Sequence, residues 1–258
     1  VRRAGLFLVE GRLIIRRLLE GSRFSVRSLL ATRAVLDDLR DVLVQHPSVS
    51  LYTTSPEIIR AVVGFKFHRG GLALAEEGPA TPAAAILAPR GARLVLVLDA
   101  LADPDNVGAV FRNALAFGAA GVLLSPGSAD PLYRKSIRVS MGATLTVPFA
   151  RIDRRDGLRE LRAAGYTLMA LTPHRDALAL DTVAAGGGPS RRLALLLGAE
   201  GSGLSEESRR AADLCVRIPM APGVDSLNVA TACGIALHRL ADVARPGDAR
   251  SMMDGDES

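Results

Sequence analysis

Two cysteines, Cys215 and Cys233, are all that this 258-residue chain contains. That is too few for a disulfide framework, and no CxxC pair or His/Cys cluster stands at metal-ligand spacing. A reduced, cytoplasmic setting without a structural metal is the expectation, with both cysteines as small buried hydrophobes. Long apolar runs are missing as well. LVLVL and LALLLG fall far short of the roughly 18 residues that span a bilayer. The N-terminal VRRAGLFLVEGRLII sets basic residues before apolar ones, but Glu10, Gly11 and Arg12 interrupt it and no small-residue cleavage pattern follows. It reads as the first strand and helix of a domain. The strand LVLVLD is not followed by a GxGxxG turn, which counts against a nicotinamide enzyme.

What is present is a globular composition with 48% hydrophobic residues and a formal net charge of +5. The charge is unevenly placed: residues 1–90 hold 13 Lys+Arg against 8 Asp+Glu, whereas residues 91–258 hold 19 of each. A basic module joined to a neutral one points to a polyanion partner for the first. An arginine-rich proteome is the alternative, since only Lys66 and Lys135 are lysines.

Along residues 6–77 the pattern alternates: strand LFLVE, helix GRLIIRRLLEG, strand SVRSLLAT, helix VLDDLRDVLVQH, strand VSLYTTS, helix PEIIRAVVG and strand GLALAEE. This is a small α/β domain, 1–77. Within it GFKFHRGG interleaves two phenylalanines with Lys66, His68 and Arg69, a composition that stacks on bases and pairs with phosphates; an edge turn with both rings in the core is the alternative. Residues 78–92, rich in Pro, Gly and Ala, read as a linker. From 93 to 244, six strands alternate with helices and predict a parallel sheet. In this reading 144–150 is a strand, 173–190 is loose, and the polar tail 245–258 is disordered.

Two apolar runs close the second domain, and each ends in a loop with unusually placed polar side chains: LALLLGAEGSGLS and CVRIPMAPGVDSLNVA. Loops beyond the carboxyl ends of strands are where ligands sit in α/β sheets, so the two loops are expected to form one pocket. Gly198, Ile218, Met220 and Leu227 supply apolar cover and backbone hydrogen bonds there. Earlier, DPDN opens a helix on which Asn106 is placed to cap and Gly108 permits close backbone approach. Arg112, an always-charged group on a largely apolar helix, calls for a carboxylate or phosphate partner, with a plain surface arginine as the alternative. Ordinary loop packing, a helix-start carboxylate at Glu200 and a helix cap at Asn228 are the competing readings.

Three stretches carry a resemblance. NVGAVFR at 106–112, LLLGAEGSGLS at 195–205 and RIPMAPGVDSLNVATA at 217–232 resemble, in order and separation, the three motifs of the SpoU (TrmH) family of RNA ribose 2′-O-methyltransferases. FLVEGRLII and HRG resemble, more weakly, that family's substrate-binding domain, which is related in fold to ribosomal proteins that bind RNA. The resemblance implies an α/β SPOUT domain with a deep trefoil knot, a homodimer through the C-terminal domain, and S-adenosylmethionine held by the positions matching Gly198, Ile218, Met220 and Leu227. It implies RNA as partner, ribosomal RNA ahead of transfer RNA, with a non-catalytic RNA-binding protein of the same fold as the alternative. It places Arg112 at the ribose hydroxyl, as base or as electrostatic stabiliser, with Asn106, Glu200, Ser226 and Asn228 orienting it. No metal is required.

Overall fold

The computed structural model describes residues 4–63, 70–89, 91–185 and 192–244. The chain begins β1 (Leu6–Glu10), α1 (Arg12–Gly21), β2 (Ser25–Ala31), α2 (Arg33–Asp38), α3 (Arg40–Leu43), β3 (Ser50–Thr53), α4 (Pro56–Val63) and β4 (Gly71–Glu76). It continues α5 (Ala83–Leu87), β5 (Leu94–Asp99), α6 (Pro104–Ala116), β6 (Gly121–Leu124), α7 (Arg134–Val139), α8 (Ala143–Thr146) and β7 (Phe149–Arg151). It ends α9 (Arg154–Ala163), β8 (Thr167–Leu171), β9 (Leu178–Ala179), α10 (Leu180–Ala185), β10 (Leu193–Gly198), α11 (Glu206–Ala211), β11 (Leu214–Arg217) and α12 (Val229–Ala244). Two compact units result. One joins Val1–Thr81 with Ala102–Leu115 and Ala129–Pro148; the other joins Pro82–Leu101 with Ala116–Ser128 and Phe149–Ser258.

The first unit holds a sheet in the order β1-β4-β2-β3, with β4 antiparallel to both neighbours and β3 parallel to β2. Helix α1 forms because Ile14, Ile15, Leu18 and Leu19 recur at helical spacing, and all four are buried. Phe7 of β1 meets Phe24 edge to face at 5.1 Å. The single helix expected over VLDDLRDVLVQH is two short ones, broken at buried Leu39, whose backbone (φ −96°, ψ 4°) has left the helical region. Helices α6 and α7 touch at Gly108. A Cβ there would stand 2.7 Å from the Ser136 carbonyl oxygen and 3.0 Å from Val139 Cβ, so the close approach this glycine permits is between helices.

The second unit is built on a seven-stranded sheet, β7-β6-β5-β10-β8-β11-β9, in which every pairing is parallel. LVLVLD is buried at all six positions because β5 lies between β6 and β10 with both faces covered. Three expectations change. Within 78–92, Ala83–Leu87 is a helical turn whose Ile86 and Leu87 pack into this unit's core beside Val95 and Leu168. The strand expected over 144–150 is shortened to Phe149–Arg151. Ahead of it, α8 is fastened by the Thr144 amide on the Ser140 hydroxyl at 3.4 Å, and Pro148, lacking an N–H, bars further helix. Finally, the loose segment from 173 contains β9, a seventh strand added at the sheet edge, and α10.

Gly108→Ala should lower stability by about 1–3 kcal/mol through overpacking, because backbone atoms on α7 cannot yield as a flexible side chain can. Thermal unfolding measures it, and an unchanged Tm would refute the contact.

Candidate functional site

The site is assembled at the carboxyl ends of β8, β10 and β11. The chain leaving β10 folds at once into a tight hairpin: the Ala199 amide donates to the Gly203 carbonyl at 3.1 Å and the Gly203 amide to the Ala199 carbonyl at 2.9 Å. Gly201 and Gly203 take φ of 81° and 67°, which side chains rarely adopt. The hairpin lies so close upon β10 that a Cβ on Gly198 would fall 2.2 Å from the Leu204 amide nitrogen. Glycine at 198 is thus demanded by the chain's own path.

Asp99, 1% exposed at the end of β5, anchors the hairpin's far side. Its Oδ2 accepts the Ser205 amide at 2.8 Å, and its Oδ1 accepts Arg154 Nε at 2.7 Å and the Ser125 hydroxyl at 3.3 Å. Burial pushes this carboxyl up, but the hydrogen bonds from Ser205, Ser208 and Arg154 outweigh it and hold it below the ordinary aspartate range. Ser205 in turn caps α11, its hydroxyl accepting the Ser208 amide at 3.2 Å.

Between the hairpin and the loop following β11 lies a cavity of about 610 Å³. Gly198, Glu200, Ile218, Met220, Ser226, Leu227 and Asn228 all line it, so the two loops do form one pocket. The loops are also bonded to each other: Asn228 Nδ2 donates to Glu200 Oε1 at 3.3 Å. At the same time Asn228 Oδ1 caps α12, accepting the amides of Ala230 at 2.9 Å and Thr231 at 3.3 Å. Glu200 sits in the hairpin, five residues before the Ser205 cap, so its reading as a helix-start carboxylate does not hold. Thr172, Pro173 and His174 after β8, and Arg209 on α11, also face the cavity and were not singled out in the sequence. Arg209 Nη1 lies 3.4 Å from His174 Nε2. Their position beyond a strand's carboxyl end was the available signal.

Asn106 and Arg112 belong to the other unit. Asn106 is buried in the first turn of α6 and is not its cap. Asp103 fills that role, accepting the Asp105 amide on Oδ1 at 3.0 Å, while Asn106 Nδ2 donates to Asp103 Oδ2 at 3.4 Å. Arg112 is exposed, and among the described residues no carboxylate pairs with it. Lys66, His68 and Arg69 lie outside the described residues.

A cavity of this volume beyond the carboxyl ends of parallel strands stands where α/β proteins take small ligands. Residues 93–238 match the SpoU rRNA Methylase family. The chain is 42% identical to an uncharacterized tRNA/rRNA methyltransferase of Mycobacterium tuberculosis, over 90% of this chain and 80% of that protein. It is 35% identical to the 23S rRNA (guanosine-2'-O-)-methyltransferase RlmB of a Burkholderia species, over 76% of this chain and 78% of that protein. The crystal structure of an AdoMet-bound rRNA methyltransferase from Sinorhizobium meliloti superposes with a TM-score of 0.77 at 27% identity, covering 92% of this chain and 87% of that one. The chain belongs to the SpoU family of RNA methyltransferases.

Asp99→Asn should cost about 3 kcal/mol at neutral pH, since Arg154 then faces no charge and a buried network is broken. Because the native carboxyl is depressed, its stabilisation is complete above the unfolded value of about 4 and is lost as pH falls through the native one. Urea unfolding across pH should therefore show a shallower acid limb for Asp99→Asn than for wild type; parallel limbs would contradict the assignment.

Proposed function

We propose that this chain transfers a methyl group from S-adenosylmethionine to a ribose 2′-hydroxyl of RNA, with ribosomal RNA as the substrate class. The observation that carries this reading is a cavity on which both motif loops converge, joined by the Glu200–Asn228 hydrogen bond. The residues present suit the cofactor. Ile218, Met220 and Leu227 offer apolar cover for an adenine and a methionine chain, the hairpin offers main-chain hydrogen-bonding groups, and the Glu200 carboxylate complements a ligand carrying sulfonium and ammonium charge. When bound, S-adenosylmethionine supplies the methyl group.

The remaining roles fall to the protein. Arg112, exposed and without a carboxylate among the described residues, has its guanidinium available for an RNA phosphate and for holding the 2′-hydroxyl in line. Asn106, fixed by Asp103, orients the start of the same helix, and Ser226, Asn228 and Glu200, which line the cavity, are assigned to the ribose. A deep trefoil knot around this cavity is supported by the strand order, in which β10 returns between β5 and β8. A homodimer through the C-terminal domain is supported by Val224 and Ile235, apolar side chains left 48% and 37% exposed. Lys66, His68 and Arg69 in the basic N-terminal domain 1–77 are assigned to RNA contact on their composition.

Arg112→Ala should reduce transfer of labelled methyl to ribosomal RNA by about 100-fold or more, the scale of losing one transition-state donor. Cofactor affinity by calorimetry should stay within about twofold, since the cavity is untouched. Turnover near wild type would exclude the role given to Arg112. Absence of label from wild type on every RNA tried would reject catalysis itself.

A further inference from the structure

The positive excess of the first 90 residues is sorted by the fold. On one flank of α1, Arg12 meets Asp38 at 3.3 Å and Arg16 meets Asp41 at 2.7 Å and Glu20 at 3.1 Å. On α2 and α3, Arg33 and Arg40 share Asp37, at 3.3 and 2.7 Å. Together these four arginines stand against four carboxylates, Asp37, Asp38, Asp41 and Glu20. The other flank of α1 carries Leu13 and, one turn on, Arg17. Arg17 Nη1 donates to the Met141 carbonyl at 2.8 Å, and no carboxylate pairs with it among the described residues.

Met141 follows α7, and α7 brings two more arginines. Arg134 and Arg138, one turn apart, reach opposite oxygens of Glu10 at 3.0 and 3.3 Å. The Glu10 side chain is 4% exposed, whereas those of Arg134 and Arg138 are 35% and 40% exposed. The carboxylate therefore grips both guanidiniums from beneath and leaves their outer edges toward water. Arg17, bonded to a carbonyl, and two guanidiniums resting on a buried carboxylate thus present exposed cationic edges, and Tyr133, 50% exposed, directly precedes Arg134.

We propose that Arg17, Arg134 and Arg138 form a docking patch for the phosphate backbone of RNA, with Tyr133 as a stacking face beside it. Planar guanidiniums match phosphodiester oxygens in pairs, and side chains already held by Glu10 lose less freedom on binding than free ones. Base–aromatic stacking adds affinity that is tolerant of sequence. The patch draws on residues from the start and the middle of the sequence, β1 and α1 with α7, which is why no single stretch announces it. The assignment rests on RNA being the substrate.

Fluorescence anisotropy with in vitro transcribed, unmodified large-subunit ribosomal RNA, at several salt concentrations, tests it. Arg17→Glu, and Arg138→Gln with Arg134 left to hold Glu10, should each raise Kd about 3- to 10-fold and reduce the slope of log K against log salt by about one. Tyr133→Ala should weaken binding about 5-fold with the slope unchanged. Arg33→Glu, an equal charge change among the carboxylate-matched arginines, should stay within about twofold. All four should unfold as cooperatively as wild type and bind cofactor with wild-type affinity by calorimetry. Wild-type Kd and slope for Arg17→Glu and Arg138→Gln, or equal damage from Arg33→Glu, would overturn the patch. Failure of the methyltransferase reading would show separately, as wild-type protein that binds this RNA with the patch dependence intact yet transfers no label.

Discussion

The second unit depends on a carboxylate that physical chemistry would rather keep in water. Asp99 ends the most buried strand of the sheet, and an isolated charge there would cost several kcal/mol. It is tolerable because the end of β6, the start of α9 and the cap of α11 each place a donor on it. The dependence runs both ways. Those three connections would otherwise be free loops at the carboxyl edge of the sheet, and the shared carboxylate fixes them to one point. The next residue, Ala100, takes φ 56° and gives its amide to Ser125 at 3.0 Å, a conformation a non-glycine residue holds only where its surroundings enforce it.

From that fixed point the ligand-facing hairpin inherits its rigidity. One end of residues 199–203 continues β10 and the other is tied through Ser205 to Asp99, so the turn can fold back on Gly198 without freedom to lift. Asn228 then spans the gap, capping α12 with its oxygen and reaching Glu200 with its nitrogen. The structural and functional readings of Asn228 are thus one arrangement: the cap sets the amide's orientation, and that orientation points its donors at the carboxylate. A site on loops can be as well defined as one on strands when both loop ends and the crossing between loops are bonded.

How much of this could be read from the chain alone follows the range of the interactions. The fully apolar strands β5 and β10, the amphipathic α1 and the convergence of two loops beyond strand ends were legible, because each is a local pattern or a rule about strand ends. The helical turn at 143–146, the packing of Ile86 and Leu87, and the edge strand β9 were not, because each is decided by what lies across the fold. Asp103 rather than Asn106 caps α6, a choice between two cap-forming side chains three residues apart for which Pro104 at the first helical position was the deciding signal. His174 and Arg209 went unnoticed because a lone histidine and one arginine of a pair carry no pattern until β8 and α11 bring them to one cavity.

Charge teaches the same lesson more sharply. Counted along the sequence, the excess of positive residues marks the first third as the basic part. Counted in space, four of its arginines are spent against Asp37, Asp38, Asp41 and Glu20, and the fold adds Arg134 and Arg138 from a stretch that sums to nothing in the linear count. A polyanion responds to the field at the surface within about a Debye length, roughly 8 Å in physiological salt. Within that range an arginine matched by a surface carboxylate of its own contributes little, whereas Arg134 and Arg138 turn their exposed edges outward over a carboxylate that is itself buried. The segment that is basic in composition and the proposed phosphate-docking patch are therefore different sets of residues, sharing Arg17.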